Sequence, residues 1–113
     1  MTFDEYHKKA LATADEQSDD EFQIYMARVL GVVGEAGEVA DKFKKIVWHR
    51  EGKVNEEDKT AIARELGDVL WYLAALADAL GYTLEEVANM NLEKLKNRKN
   101  INTLRGDGDG DNR

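Results

Sequence analysis

Apolar positions recur at steps of three and four along most of the chain, the period of helices that turn one face inward. No stretch shows the two-residue alternation of a strand. The first helix is predicted from about Thr2 to Glu16, with Phe3, Tyr6, Ala10 and Leu11 on one face. The polar run Gln17 to Asp20 interrupts the pattern, and Ser18, Asp19 or Asp20 can cap the next helix. The second helix runs from about Glu21 to Arg50. Val29, Val32, Val33, Ala36, Ala40, Phe43 and Val47 make a stripe expected to be buried. Gly31, Gly34 and Gly37 lie within it, each costing roughly 1 kcal/mol against alanine. They imply either close approach of another helix or a local kink.

A loop is expected around Gly52, after which Asn55 can cap the third helix, with Glu56, Glu57 and Asp58 favouring its positive end. That helix extends to about Leu80 and stops at Gly81. Its residues Ile62, Leu66, Val69, Leu73, Leu76 and Leu80 alternate steps of four and three, the seam of a bundle. Trp71 projects roughly opposite that seam, which suggests a subunit interface more than a platform for a nucleobase. Thr83 and Glu86 form a capping box for a fourth helix through Val87, Met90 and Leu95 to about Arg98. The expectation is an all-α bundle of about four helices occupying residues 1–104, with a disordered Gly/Asp-rich tail over 105–113.

Composition narrows the chemistry. A length of 113 residues suits one domain, and the absence of proline favours long helices. The net charge of −7 makes the chain a poor partner for nucleic acid, so any handling of phosphates calls for a cation. Cysteine is absent, which excludes disulfides and thiolate metal sites. No apolar run approaches membrane-spanning length, and a cytoplasmic location is expected.

Glu35 and Glu38 are three residues apart, as are Glu65 and Asp68, so each pair shares a helix face. Each pair flanks an apolar stripe, and packing of the two helices can bring the pairs together. Converging carboxylates repel, and a bound cation relieves the repulsion. Oxygen donors without His or Cys favour magnesium, manganese or calcium, and magnesium commonly bridges carboxylates to substrate phosphates. Acidic pairs also decorate the solvated face of many helices, so spacing alone leaves the reading open.

The segments VVGEAGEVADKFKK and ARELGDVLWYLAALADALG change that. They resemble the MazG-like family of all-α nucleoside triphosphate pyrophosphohydrolases, with Glu35-Ala-Gly-Glu38 matching its ExxE motif and Glu65-Leu-Gly-Asp68 its ExxD motif. The resemblance runs from about Val29 to Arg98. It implies that the four acids hold Mg2+, with Mn2+ as a substitute, on a nucleoside triphosphate cleaved to the monophosphate and pyrophosphate. It also implies a homodimer or homotetramer and a role in clearing surplus or non-standard nucleotides.

Glu38 is favoured as general base. Lys42, one turn beyond it, either contacts a phosphate or pairs with Glu38. Tyr72 touches the sugar or base, or is a tyrosine at the core edge. Asn91, Lys94 and Arg98 share a face on the fourth helix that resembles the family's phosphate and sugar contacts; otherwise it is a solvated face. His7 and His49 lie at no metal-ligand spacing and are expected at the surface. Asp107, Asp109 and Asp111 lack the glycine and closing glutamate of a calcium loop. Two alternatives stand: a non-catalytic helical interaction module, and a specialised pyrophosphatase acting on dUTP or phosphoribosyl-ATP.

Overall fold

The computed structural model describes residues 1–15 and 18–105, the side chains of 101–105 excepted. Four helices follow in order: α1 (Phe3–Leu11), α2 (Glu21–Arg50), α3 (Glu56–Ala79) and α4 (Leu84–Arg105). No strand occurs among the described residues. The acidic tail from residue 106 onward lies outside them.

Helix starts are set by local side chains. Thr2 accepts from the Glu5 amide and Asp20 from the Gln23 amide, so Asp20 is the cap among the three candidates. Asn55 and Asp58 make a reciprocal capping box, and Thr83 and Glu86 make another. Gly81, at φ 87°, turns the chain out of α3 in the left-handed region that glycine adopts without penalty.

Two helix ends differ from expectation. α1 stops at Leu11 because its last carbonyls are taken elsewhere: the Ala10 carbonyl accepts from Thr13 Oγ1 at 2.6 Å and from Trp71 Nε1 at 3.1 Å. α4 runs past Arg98 to Arg105, since no glycine or proline interrupts the sequence before Gly106.

α2 and α3 form an antiparallel hairpin and the main packing surface of the chain. Their direction follows from pairs that run oppositely: Arg50 with Asp58, Lys42 with Glu65, Gly31 with Tyr72. α1 packs on α3, and the start of α4 packs on both. Among the described residues, α4 makes no contact with α2.

Trp71 is therefore not a free interface residue. Its Nε1 donates to Ala10 and, at 2.9 Å, to Thr13 Oγ1, fastening α1 within the same chain. His7 corrects the surface assignment as well. It is 8% exposed, its Nδ1 accepts from the Leu84 amide at 3.2 Å, and its Nε2 faces Asp78 Oδ1 at 3.2 Å. An accepting Nδ1 places the proton of neutral His7 on Nε2, where it donates to Asp78. His49 is exposed as expected.

The buried apolar set is small: Ala10, Ile46, Ile62, Ala74, Ala75, Ala77 and Leu84. The stripe expected to be buried on α2 is mostly outside, with Val33 64% and Val47 63% exposed and only Val32 half-buried. The face turned to α3 instead carries Gly31, Val32, Glu35, Val39, Lys42 and Ile46. On α3, Ile62 is buried, Val69 and Leu76 are half-buried, and Leu66, Leu73 and Leu80 are exposed. One chain thus satisfies the bundle pattern only in part.

Candidate metal centre

The hairpin brings the acids of α2 and α3 together. Glu35, Glu65 and Asp68 each offer a carboxylate oxygen, and these oxygens lie within 4.8 Å of one another. Glu35 and Glu65 are half-buried in the helix seam, whereas Asp68 is exposed at its rim. Glu38 is exposed and stands outside this trio. Its charge nevertheless reaches Glu35.

Three carboxylates at this separation cannot all ionise without cost. Glu35 shows the effect: burial first, then the charges of Asp68, Glu65 and Glu38, push its carboxyl above the ordinary glutamate range. A divalent cation fits this donor set, because it supplies the missing positive charge and prefers hard oxygens. Lys42 supplies some of it within the chain. Its Nζ lies 4.0 Å from Glu65 Oε1, so its partner is across the seam and not Glu38.

Tyr72 sits one turn from Asp68 along α3 and opposite Gly31, one turn from Glu35 along α2. A Cβ at Gly31 would overlap the Tyr72 ring. Close packing therefore accounts for Gly31, while Gly34 and Gly37 have nothing within 4 Å and lie in an unbroken helix. The Tyr72 ring also meets Trp71 edge-on, with centroids 4.9 Å apart.

The helix-four candidates lie apart from the acids. Asn91 and Lys94 line a cavity of about 830 Å3 between the end of α3 and α4, and none of the four acids borders it. Arg98 is half-buried farther along α4. The carboxylates are the stronger focus of chemistry, since this cavity is bordered largely by Leu80, Tyr82, Val87 and Met90, with Glu93 and Lys94 as its charged residues.

Two residues near the site escaped the sequence reading. Tyr6 of α1 is half-buried, and its hydroxyl pKa is raised by burial and by the charge of Asp68. Arg28 of α2 places its guanidinium 5.6 Å from the centroid of the Trp71 ring. Each depends on a contact between distant parts of the chain, for which local spacing carries no signal.

Residues 23–102 match the MazG nucleotide pyrophosphohydrolase domain. The chain belongs to the MazG family. It is also 45% identical over 80 residues to the Gene 37 protein of Mycobacterium phage L5, a match covering 71% of this chain and 70% of that protein. No solved structure matches the chain significantly. All four acids, Lys42 and Tyr72 fall inside the MazG segment, whereas Tyr6 and His7 precede it.

Proposed function

We propose that this MazG protein hydrolyses nucleoside triphosphates, ribo or deoxy, to the monophosphate and pyrophosphate with Mg2+ as cofactor and Mn2+ as a substitute. The observation that carries the reading is the convergence of Glu35, Glu65 and Asp68 from two helices, with Glu35 held above its usual range by burial and then by its acidic neighbours. Those three carboxylates would hold the cation, with Glu38 at the margin of the same charge cluster. Bound there, a divalent ion would neutralise charge on the phosphates and favour ionisation of an attacking water.

Glu38 suits the general base because it is exposed and outside the trio, leaving its carboxylate available to take a proton. Lys42, whose Nζ lies 4.0 Å from Glu65 Oε1, would shift from that carboxylate to a substrate phosphate. Tyr72 would border the nucleoside side of the cluster.

The proposed assembly is a homodimer or homotetramer. Val33, Phe43 and Val47 on α2 and Leu66, Leu73 and Leu80 on α3 are all at least 40% exposed, a surface that a second copy with the same stripes would cover. Because α4 stays clear of α2, Asn91, Lys94 and Arg98 would serve the site of a neighbouring copy. The acidic chain argues against nucleic acid as partner, and no helix among the described residues is long and apolar enough to cross a membrane. We place the activity in the cytoplasm, where nucleotides are cleared.

A release screen tests the reading. Canonical, deoxy and damaged triphosphates, with dUTP and phosphoribosyl-ATP as separate arms, should yield pyrophosphate only when Mg2+ is present. Orthophosphate as the sole inorganic product would mean a different bond is cut.

A further inference from the structure

Beyond the carboxylates, the α2–α3 seam opens into a cavity of about 220 Å3 toward the Glu51–Gly52 turn. Lys42, Lys45, Arg50 and Asp58 line it, over a floor that includes Ile46 and Ile62. Three cations and one carboxylate line the cavity in a chain of net charge −7, each cation having a carboxylate partner in Glu65, Asp41 or Asp58. Lys42 belongs to this cavity and to the acidic centre at once, since its Nζ reaches Glu65. The two sites therefore share a wall.

We propose that this cavity binds the terminal diphosphate portion of the substrate, with Lys45 and Arg50 as the residues that grip it. The assignment rests on the pyrophosphohydrolase reading and adds residues to it. Along α2, Glu35 and Glu38 are followed by Lys42 and then Lys45, so cation-binding acids give way to cations within two or three turns, roughly 10–15 Å. A polyphosphate laid along the seam meets first the metal site and then positive charge. In the other direction lie Tyr72, Trp71 and Tyr6, which suit a nucleoside better than an anion. The seam thus has one chemically matched direction for a substrate.

Both gripping residues have partners at present: Lys45 Nζ lies 2.9 Å from Asp41, and Arg50 is paired with Asp58. Lys45 and Asp41 are largely or partly exposed, where such pairs contribute little, so a multiply charged phosphate competes readily. The planar fork of Arg50 matches two phosphate oxygens at once.

Titration calorimetry with inorganic pyrophosphate and Mg2+ tests this on the full chain, with a nucleoside monophosphate as the comparison ligand. The Lys45→Gln/Arg50→Gln variant should bind pyrophosphate about tenfold more weakly, with its affinity for the monophosphate unchanged. Asp41→Asn, which frees Lys45, should bind pyrophosphate more tightly. A purely structural role for these ion pairs would not produce that gain. Equal losses for both ligands, pyrophosphate affinity within about twofold of wild type, or a wild-type chain that binds no pyrophosphate would each overturn the assignment. Circular dichroism checks the fold, and Lys45→Gln alone carries the comparison if the double variant does not fold. The wild-type release assay is separate: its failure removes the pyrophosphohydrolase reading, while the titration still decides whether the cavity takes a diphosphate.

Discussion

At the scale of single residues, Glu35 links charge to stability. Its folded pKa lies above the ordinary value of 4.5, so the folded chain holds this proton more tightly than the unfolded chain. Stability is then lost as pH rises from about that value through the raised one, because an ionised Glu35 is partly desolvated and faces Asp68 and Glu65. Added Mg2+ should reverse the loss, raising Tm more near neutral pH than near pH 4.5. Glu85 shifts in the same direction through its hydrogen bond with Asp4, so the comparison with Glu35→Gln isolates the cluster. A Tm gain equal in both proteins would mean that Mg2+ acts elsewhere. Catalysis should be more sensitive still: Glu38→Gln and Asp68→Asn are each expected to lower turnover by about 100-fold or more with helical content retained. Gly31→Ala is the packing test. Alanine gains about 1 kcal/mol of helix propensity, yet the clash with the Tyr72 ring should outweigh it, leaving a net loss of about 1 kcal/mol on thermal unfolding.

Among elements, the sequence was most readable where partners lie within one turn. Both capping boxes, the Asp20 cap and the Gly81 stop follow from neighbours three or four positions apart. The same spacing pointed to Glu35, Glu65 and Asp68, which converge, and to Glu38, which stands outside their trio. The face of α2 that meets α3 was not. That helix carries two adjacent faces, and the one richer in valine and phenylalanine is exposed while the packed one includes Glu35 and Lys42. Periodicity reports that a face is apolar, but not which neighbour covers it. The reach of Trp71 to Ala10 and of His7 to Leu84 likewise spans the chain, beyond any local pattern. His7 joins α1, α3 and α4 through one imidazole. His7→Ala should therefore cost about 1–3 kcal/mol, since the buried Leu84 amide would lose its acceptor. Hydrogen exchange should show the first turn of α4 opening before the α2–α3 hairpin. Uniform opening of all four helices would contradict the joint.

For the whole molecule, the largest fact is what one chain fails to bury. Its core is mostly alanine, while Phe22, Leu30, Val33 and Val47 are each more than 60% exposed. Full burial of such side chains stabilises by about 1.5–3 kcal/mol each, enough for a few of them to decide whether the fold persists. A second copy is the proposed cover. Sedimentation should then find a dimer or tetramer, with a Tm that rises with protein concentration. Val33→Glu with Phe43→Glu should shift the population to monomer and lower Tm; a monodisperse monomer in the unaltered chain would remove this proposal.

The turn at Glu51 and Gly52, both at positive φ, carries a consequence for the order in which the molecule is made. It joins the two helices with the most extensive contacts, so the pairing that assembles the acids closes only a short loop. Short loops form early and at small entropic cost, whereas α1 must wait for Trp71, far along the chain. On a ribosome, the acidic centre would thus be assembled as soon as α3 emerges, before α4 has left the exit tunnel and before any second copy has been met.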